Sequence, residues 1–500
     1  MDKFFWADKI ADDLIRENKG KKEFVCASGI TPSGTVHIGN FREIITTDLV
    51  VRALREKGKK VRFIYSWDDY DRFRKVPENI PGEKKKEYEG YIGKPVSDVP
   101  SPFGDKKSYA KHFEDEFESI SEKVGIKPEF IYQNQMHKKC KYAHLIKKAL
   151  DERKEIMKIL DKYRKEPLEK DWMPMEVYCE KCGRDNTKIQ GIDGYEIEYS
   201  CECGHWAKFD FRKKGLVKLK WRIDWPARWS YEGVDFEPGG NDHSVEGGSY
   251  TTGKEIVKKV YDSKAPVYVR YEFVYKKGVK GKMSSSAGNL FTIQEVEEVY
   301  EPEILRYLFV GTRPNKEFDI SFDNDVIKIY EDYDELERKY YEKKANPQEM
   351  RIYELSRMKV SKTKPDKISF RHMITLVQTG KAEKLKGANK IRAEKVANWL
   401  ENYAGDDMTF EIQEEIKIDL NENEKKALNL LKEVLKKKNL DEDKLLNGFY
   451  GIAEEAEIEP KDFFGVAYGV IIGKSKGPRL ASLILTVGKD KIIKLLDKIK

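Results

Sequence analysis

No run in this 500-residue chain approaches the roughly 20 consecutive apolar residues that a membrane-crossing helix needs. The longest apolar stretch, Phe463 to Gly473, is about half that length. The opening residues, MDKFFWADKIADDLIREN, are acidic and amphipathic and lack the apolar core of a secretion signal. From both absences the expectation is a cytoplasmic protein with no membrane partner. Cysteine is scarce at six residues, with Cys26 and Cys140 standing apart. The other four, Cys179, Cys182, Cys201 and Cys203, fall within 25 residues. In an intracellular chain such a cluster favours a metal over disulfides. Internal repeats and long low-complexity tracts are also missing, which argues against solenoids and disordered arrays.

What the chain does have is charge and aromatic bulk. Eight Trp, 27 Tyr and 23 Phe supply material for real cores, which excludes wholesale disorder. The length is about three times that of a common domain, so several domains are expected. Charged residues make up 37%, against about 25% in an average protein. The net charge of +7 is unevenly spread. Residues 351–400 hold 13 Lys and Arg against four Asp and Glu, while residues 401–460 hold 17 acidic against eight basic. The adjoining blocks suggest one face for a polyanion and one that is merely solvated. Lys381, Lys384, Lys386, Lys390, Arg392 and Lys395 are the expected polyanion contacts.

Glu23 to Ser28 reads as a buried strand meeting the turn-rich GITPSG. Phe41, Ile44, Ile45, Leu49, Val50, Ala53 and Leu54 recur at helical spacing before Gly58, and Val61 to Trp67 is again a strand. Strand, helix, strand is the βαβ unit of parallel sheets, which bind ligands at strand C-termini. From about Tyr70 to Gly215 the pattern changes, as an insertion would. Core patterning resumes at Leu216, runs through PGGNDHS and the expected strand Val267 to Tyr275, and reaches GKMSSSAGN. Beyond about Asp325 the chain reads as helical.

TPSGTVHIGN, Thr31 to Asn40, lies between the first strand and the first helix. Gly29 and Gly34 permit a tight turn and close backbone approach, and Pro32 stiffens the loop. His37 and Asn40 stand about one turn apart at a helix N-terminus, where an anion is favoured. KMSSS, Lys282 to Ser286, places a lysine and hydroxyls in a Gly- and Ser-rich loop able to follow polyphosphate charge.

Together these two segments resemble the HIGH and KMSKS signatures of the class I aminoacyl-tRNA synthetases. Asn40 replaces the second His and Ser285 the second Lys. With YSWDDYDRFRKVP, KWRIDWPARW and GGNDHS between them, the chain is most similar to the archaeal-type class I lysyl-tRNA synthetases. The resemblance implies an α/β fold with a Rossmann-type parallel-sheet catalytic core, a zinc-containing insertion and an all-α C-terminal anticodon-binding domain. The implied boundaries are 1–70 and 216–290 for the two parts of the core, 71–215 for the insertion, 291–345 for a stem-contact region and 346–500 for the helical domain.

The resemblance further implies attack of lysine carboxylate on Mg-ATP, then transfer of lysine from the adenylate to tRNA(Lys), releasing AMP and pyrophosphate. His37, Asn40 and Lys282 would be catalytic. Pro32, Gly34, His37, Gly39, Asn40, Lys282, Met283, Ser284 and Ser285 would hold ATP. Gly29, Thr31, Trp221, His243 and Tyr271 match the family's lysine pocket. Asp68, Asp69, Asp224 and Asp242 all remain candidates for the ammonium. Arg222 and Arg228 keep glutamate open as an alternative substrate, and a non-catalytic RNA-binding module is a third reading. The sequence leaves the oligomeric state open, with a monomer favoured.

Cys179-x-x-Cys182 followed by Cys201-x-Cys203-x-His205 has the spacing of one closed, structural zinc site. The fourth ligand is Cys203 or His205. Two ligands one residue apart make a cramped ring, and Cys201-x3-His205 resembles the family pattern, so His205 is expected with Cys179, Cys182 and Cys201. A second zinc is not expected, because the stretch from Phe103 to His112 retains a single nitrogen ligand.

Overall fold

The computed structural model describes residues 5–278 and 291–499. Five strands form one parallel sheet: β1 (Glu23–Ile30), β2 (Lys60–Trp67), β3 (Glu129–Tyr132), β4 (Phe236–Gly240) and β5 (Val267–Tyr271), in the order β5-β4-β1-β2-β3. The helix joining β1 to β2 spans Ile38–Glu56, and every apolar residue expected on its inner face is buried. That burial, at about 1.5–3 kcal/mol for each large side chain, fixes the helix against the sheet. Gly58, at φ +74, then lets the chain turn back.

The chain winds outward from β1 through β2 to β3 on one side, and through β4 to β5 on the other. The loops leaving β1 and β4 therefore diverge, which opens a crevice at the strand C-termini.

Two expectations change. β3 falls inside residues 71–215, so this stretch supplies an edge strand to the main sheet. Its four residues, EFIY, are too few to show a period. The run expected as one strand, Val267 to Tyr275, is two: Val274–Lys276 leaves the main sheet and pairs in parallel with Phe318–Ile320.

The chain divides into two compact units. The first comprises Met1–Val296, Leu305–Ile320 and Asn346–Met358. Buried Arg306 ties its last segments together, with Nη2 2.6 Å from Asp48 Oδ2 and Nε donating to Leu355 O at 3.1 Å. The second unit, Glu297–Ile304, Ser321–Ala345 and Lys359–Lys500, is helical, with a core that includes Leu428, Leu431, Phe463 and Ile484.

Within this second unit the basic block divides in two. Lys381, Lys384, Lys386 and Lys390 are exposed. Arg392 is buried: its Nε lies 2.5 Å from Glu301 Oε1, and its Nη1 and Nη2 lie 2.7 and 2.9 Å from the Asp334 carboxylate. Lys395 is also buried, 2.9 Å from Glu297 Oε1. Neither faces outward, which corrects the expectation that they contact a polyanion. They lie on the inward face of the helix Gly387–Asn402, where acidic partners offset their desolvation. Arg392→Ala should therefore cost about 3–5 kcal/mol in denaturant unfolding by stranding Glu301 and Asp334. Lys390→Ala should leave the midpoint within about 0.5 kcal/mol.

Candidate active site and thiol cluster

The diverging loops enclose a cavity of about 360 Å³. Gly29, Thr31, Trp221, His243 and Tyr271, five residues from four separate segments, all line it, as do His37, Gly39 and Asn40. Gly34 lines a neighbouring cavity instead, and Pro32 is buried in the loop. Lys282, Met283, Ser284 and Ser285 lie outside the described residues.

His37 is the N-cap of the helix Ile38–Glu56, and its Nδ1 accepts the Gly39 N–H at 3.1 Å. An accepting Nδ1 puts the proton of the neutral ring on Nε2, which can then donate to a ligand oxygen. The Asn40 N–H donates to His37 O at 2.9 Å, so both residues share the first helical turn and its positive dipole end. Gly29 is dictated by packing, because a Cβ there would sit 2.5 Å from Ser66 O on β2.

Glu43, on the same helix, is a cavity residue that the sequence reading did not single out. The Gly29 N–H donates to its Oε1 at 2.9 Å and the Tyr271 hydroxyl to its Oε2 at 2.7 Å. Burial pushes the Glu43 carboxyl up to about 8, although both hydrogen bonds favour the anion. The available signal was a carboxylate set among Phe41, Ile44 and Ile45.

Beneath the cavity runs a chain of opposite charges. Arg228 grips Asp68 with Nη1 at 2.6 Å and Nη2 at 3.3 Å, and its Nε lies 3.3 Å from Asp224 Oδ2. Lys218 lies 3.7 Å from Asp224 and 2.8 Å from Asp71, which accepts the Thr31 hydroxyl at 2.9 Å. Burial raises the pKa of Asp68. At Asp71 burial is outweighed by Lys218, so this carboxyl titrates below its ordinary range. The group sets three carboxyl groups against two cations.

Asp68, Asp71 and Asp242 line the cavity, whereas Asp69 accepts the Asn134 N–H at 2.7 Å and Asp224 lies buried in the charge chain. Arg228 is thus committed internally, and Arg222 Nη1 donates to Gly247 O at 2.6 Å. Among the described residues Arg74 is the one Lys or Arg at the cavity, facing five carboxyl groups. Trp221 stacks on Trp225 with centroids 5.3 Å apart, which makes an aromatic wall beside His243.

In the region expected to bind metal, the thiols of Cys179, Cys182, Cys201 and Cys203 lie within 4.8 Å of one another, a set able to hold a metal ion. Cys179 to Cys203 is 3.8 Å and Cys182 to Cys201 is 3.7 Å. A tetrahedron with metal–sulfur bonds of about 2.3 Å has edges of about 3.8 Å, so the fit is close.

His205 stands outside this set, with Nε2 3.1 Å from Glu180 Oε1. The turn explains why. Gly204 at φ +82 bends the chain, its N–H donates to Cys201 O at 2.9 Å, and Cys203 folds back toward Cys201. Gly183 at φ +74 makes the matching turn after Cys179. The Cys179 thiol is pushed up by burial but brought down further, to about 6, by the backbone N–H groups of Cys182 and Lys181. Cys203→Ser should therefore lose one equivalent of bound metal, and His205→Ala should keep it. Metal analysis of the purified variants reads this directly.

A family model described as tRNA synthetases class I (K) matches residues 4–359. A lysine-tRNA ligase of Borreliella burgdorferi is 45% identical, covering 99% of this chain and 99% of its own. One of Treponema pallidum is 43% identical, with 98% of each chain covered. One of Pyrococcus horikoshii is 40% identical, covering 98% of this chain and 99% of its own. The model accounts for most of the chain and these relatives for nearly all of it, so this chain belongs to the class I (K) tRNA synthetases.

Proposed function

We propose that the protein is a cytoplasmic enzyme that ligates L-lysine to tRNA(Lys) at the expense of ATP. The observation that carries this reading is the cavity lining, where five carboxyl groups and one cation, Arg74, make an acceptor-rich wall that suits an ammonium-bearing substrate. A carboxylate oxygen of lysine attacks the α-phosphorus of Mg-ATP, the bond to the bridging oxygen breaks, and pyrophosphate leaves. A terminal ribose hydroxyl of the tRNA then attacks the lysyl carbonyl, and AMP departs.

Positioning and charge stabilisation carry most of this chemistry. His37 Nε2 and Asn40 donate to phosphate oxygens at the helix N-terminus. Lys282, with Ser284, serves the pyrophosphate side. Glu43 and Tyr271 meet an ammonium of the substrate, and Trp221 and His243 wall the aliphatic stem. In the second unit, exposed Lys381, Lys384, Lys386 and Lys390 follow tRNA phosphates on the approach to the anticodon. One structural zinc sits on Cys179, Cys182, Cys201 and Cys203. With all four positions filled by protein, it has no opening for substrate and acts on stability alone.

Pyrophosphate exchange should depend on lysine and be absent with glutamate; exchange driven by glutamate alone would overturn the assignment. His37→Ala and Lys282→Ala should each lower the exchange rate by about 10²–10³-fold, the scale of a deleted oxyanion donor. The KM for lysine should move far less, because those contacts strengthen only as charge develops.

Glu43 adds a pH signature. In the free enzyme its carboxyl is protonated below about 8, whereas a bound ammonium requires the carboxylate. Lysine binding at pH 7 therefore expels a proton. The KM for lysine should fall as pH rises from 7 to 8.5 and level off above, while the lysine side chain remains charged to about pH 10. Glu43→Gln should raise KM and abolish the slope.

A further inference from the structure

The aromatic wall of the cavity is one end of a longer array of rings. Trp221, Trp225 and Trp229 stand four residues apart on the helix Trp221–Glu232, so their indoles share one face. Trp225 packs on Trp229 with centroids 4.7 Å apart, Tyr250 meets Trp229 edge-on at 5.9 Å, and Tyr250 stacks on Tyr268 at 3.8 Å. The Tyr268 hydroxyl lies 2.7 Å from that of Ser244, which belongs to the same short helix, Asn241–Ser244, as His243. The array therefore begins at one cavity residue, Trp221, and ends beside another, His243. Trp225 also approaches His243 directly, with centroids 5.5 Å apart.

A single acid anchors the middle of this array. Glu237, buried on β4, accepts the Trp225 indole N–H on Oε1 at 3.0 Å and the Trp229 indole N–H on Oε2 at 2.5 Å. An indole N–H only donates, so holding two of them from one side chain takes two acceptor atoms and no competing donor, which a carboxylate supplies. Glutamine in its place would turn an amide N–H toward one of the indoles. Burial pushes the Glu237 carboxyl up to about 7, with Asp68 adding to it, while both indoles and Arg228 favour the anion, so at pH 8 it is ionised. If Glu237 only filled space, an apolar side chain of similar volume would do so without the cost of desolvating a charge.

We propose that Glu237 is a positioning residue for the amino-acid substrate: by fixing Trp225 against Trp221 and His243, it holds in place the wall on which the aliphatic stem of lysine lies. The inference rests on the ligase reading, which makes that stem the ligand of the wall. Glu237 is not among the residues lining the cavity, so it acts through the rings without touching substrate. Stacking alone tolerates one ring sliding over another, as in the pair Trp221 and Trp225, whose planes lie only 14° apart. A directional bond from each of two indoles to one carboxylate removes that freedom. The proposed phosphate contacts of His37 and Asn40 come from a separate element, the helix Ile38–Glu56, so loosening the array should be felt in lysine binding before it is felt in phosphate chemistry.

The test is lysine-dependent pyrophosphate exchange at pH 8, with kcat and the KM values for lysine and ATP read separately. Glu237→Gln should raise the KM for lysine about tenfold, the scale of a lost hydrogen bond to a charged group, and leave kcat and the KM for ATP within about twofold. Trp225→Phe keeps a ring but removes its donor, so it should raise the KM for lysine similarly, and adding Glu237→Gln to it should change little more. Trp229→Phe leaves the Trp225 bond intact and should stay near the unsubstituted value. In that background a single acceptor suffices, so adding Glu237→Gln should be far milder than Glu237→Gln alone. A KM for lysine unmoved in Glu237→Gln and Trp225→Phe would overturn the inference and leave the ligase reading standing. So would parallel losses in kcat, both KM values and the unfolding midpoint with no recovery in the Trp229→Phe background, the pattern of core packing alone. Should Glu237→Gln fail to fold, the contrast between Trp225→Phe and Trp229→Phe decides by the same KM for lysine. An unsubstituted protein that exchanges no pyrophosphate with lysine would sink both readings.

Discussion

The five buried charges at the strand ends, Asp68, Arg228, Asp224, Lys218 and Asp71, are the constraint on which the site depends. Each would be costly to desolvate alone, and the alternation makes the group tolerable. The partners come from the turn after β2, from the strand Val217–Leu219 and from the helix Trp221–Glu232, so the network also joins segments some 150 residues apart in sequence. The carboxyl groups outnumber the cations by one, so the floor of the cavity is rich in hydrogen-bond acceptors. Thr31 is oriented by the same network through Asp71.

Glu43 shows how the remaining selectivity is built. It is held at two points, by the Gly29 amide and the Tyr271 hydroxyl. Gly29 itself is fixed by packing, since a Cβ there would collide with Ser66 O on β2. The indole N–H groups of Trp225 and Trp229 hold Glu237 in the same manner, 3.0 and 2.5 Å away, and burial pushes that carboxyl up to about 7. Several acids in this region thus sit near the boundary between charged and neutral.

The second unit illustrates the opposite use of charge. Arg392, Lys395 and Lys367 are drawn inward, with Arg392 and Lys367 both meeting Glu301, while the surrounding lysines stay in solvent. Net charge along the sequence counts all of them alike. Only the exposed members contribute to the field that an RNA would meet.

Period and order were enough for much of this protein. The helical spacing of Phe41, Ile44, Ile45 and Leu49 marked the helix Ile38–Glu56, the apolar runs marked β1 and β2, and the five ordered motifs marked the family, whose resemblance pointed to the five residues that meet at the cavity. The cysteine spacing marked a thiol set able to hold a metal ion. Tertiary structure decided what depends on distance between segments remote in sequence. It placed Cys203 rather than His205 among the thiols, because a left-handed glycine turn sets which side chain returns. It buried Arg392 and Lys395, drew the four-residue strand EFIY into the main sheet, and gave Glu43, Lys218 and Glu237 their partners. Local pattern reports which face of an element is apolar, whereas the partner of a buried charge is fixed only when distant segments fold together and water is excluded between them.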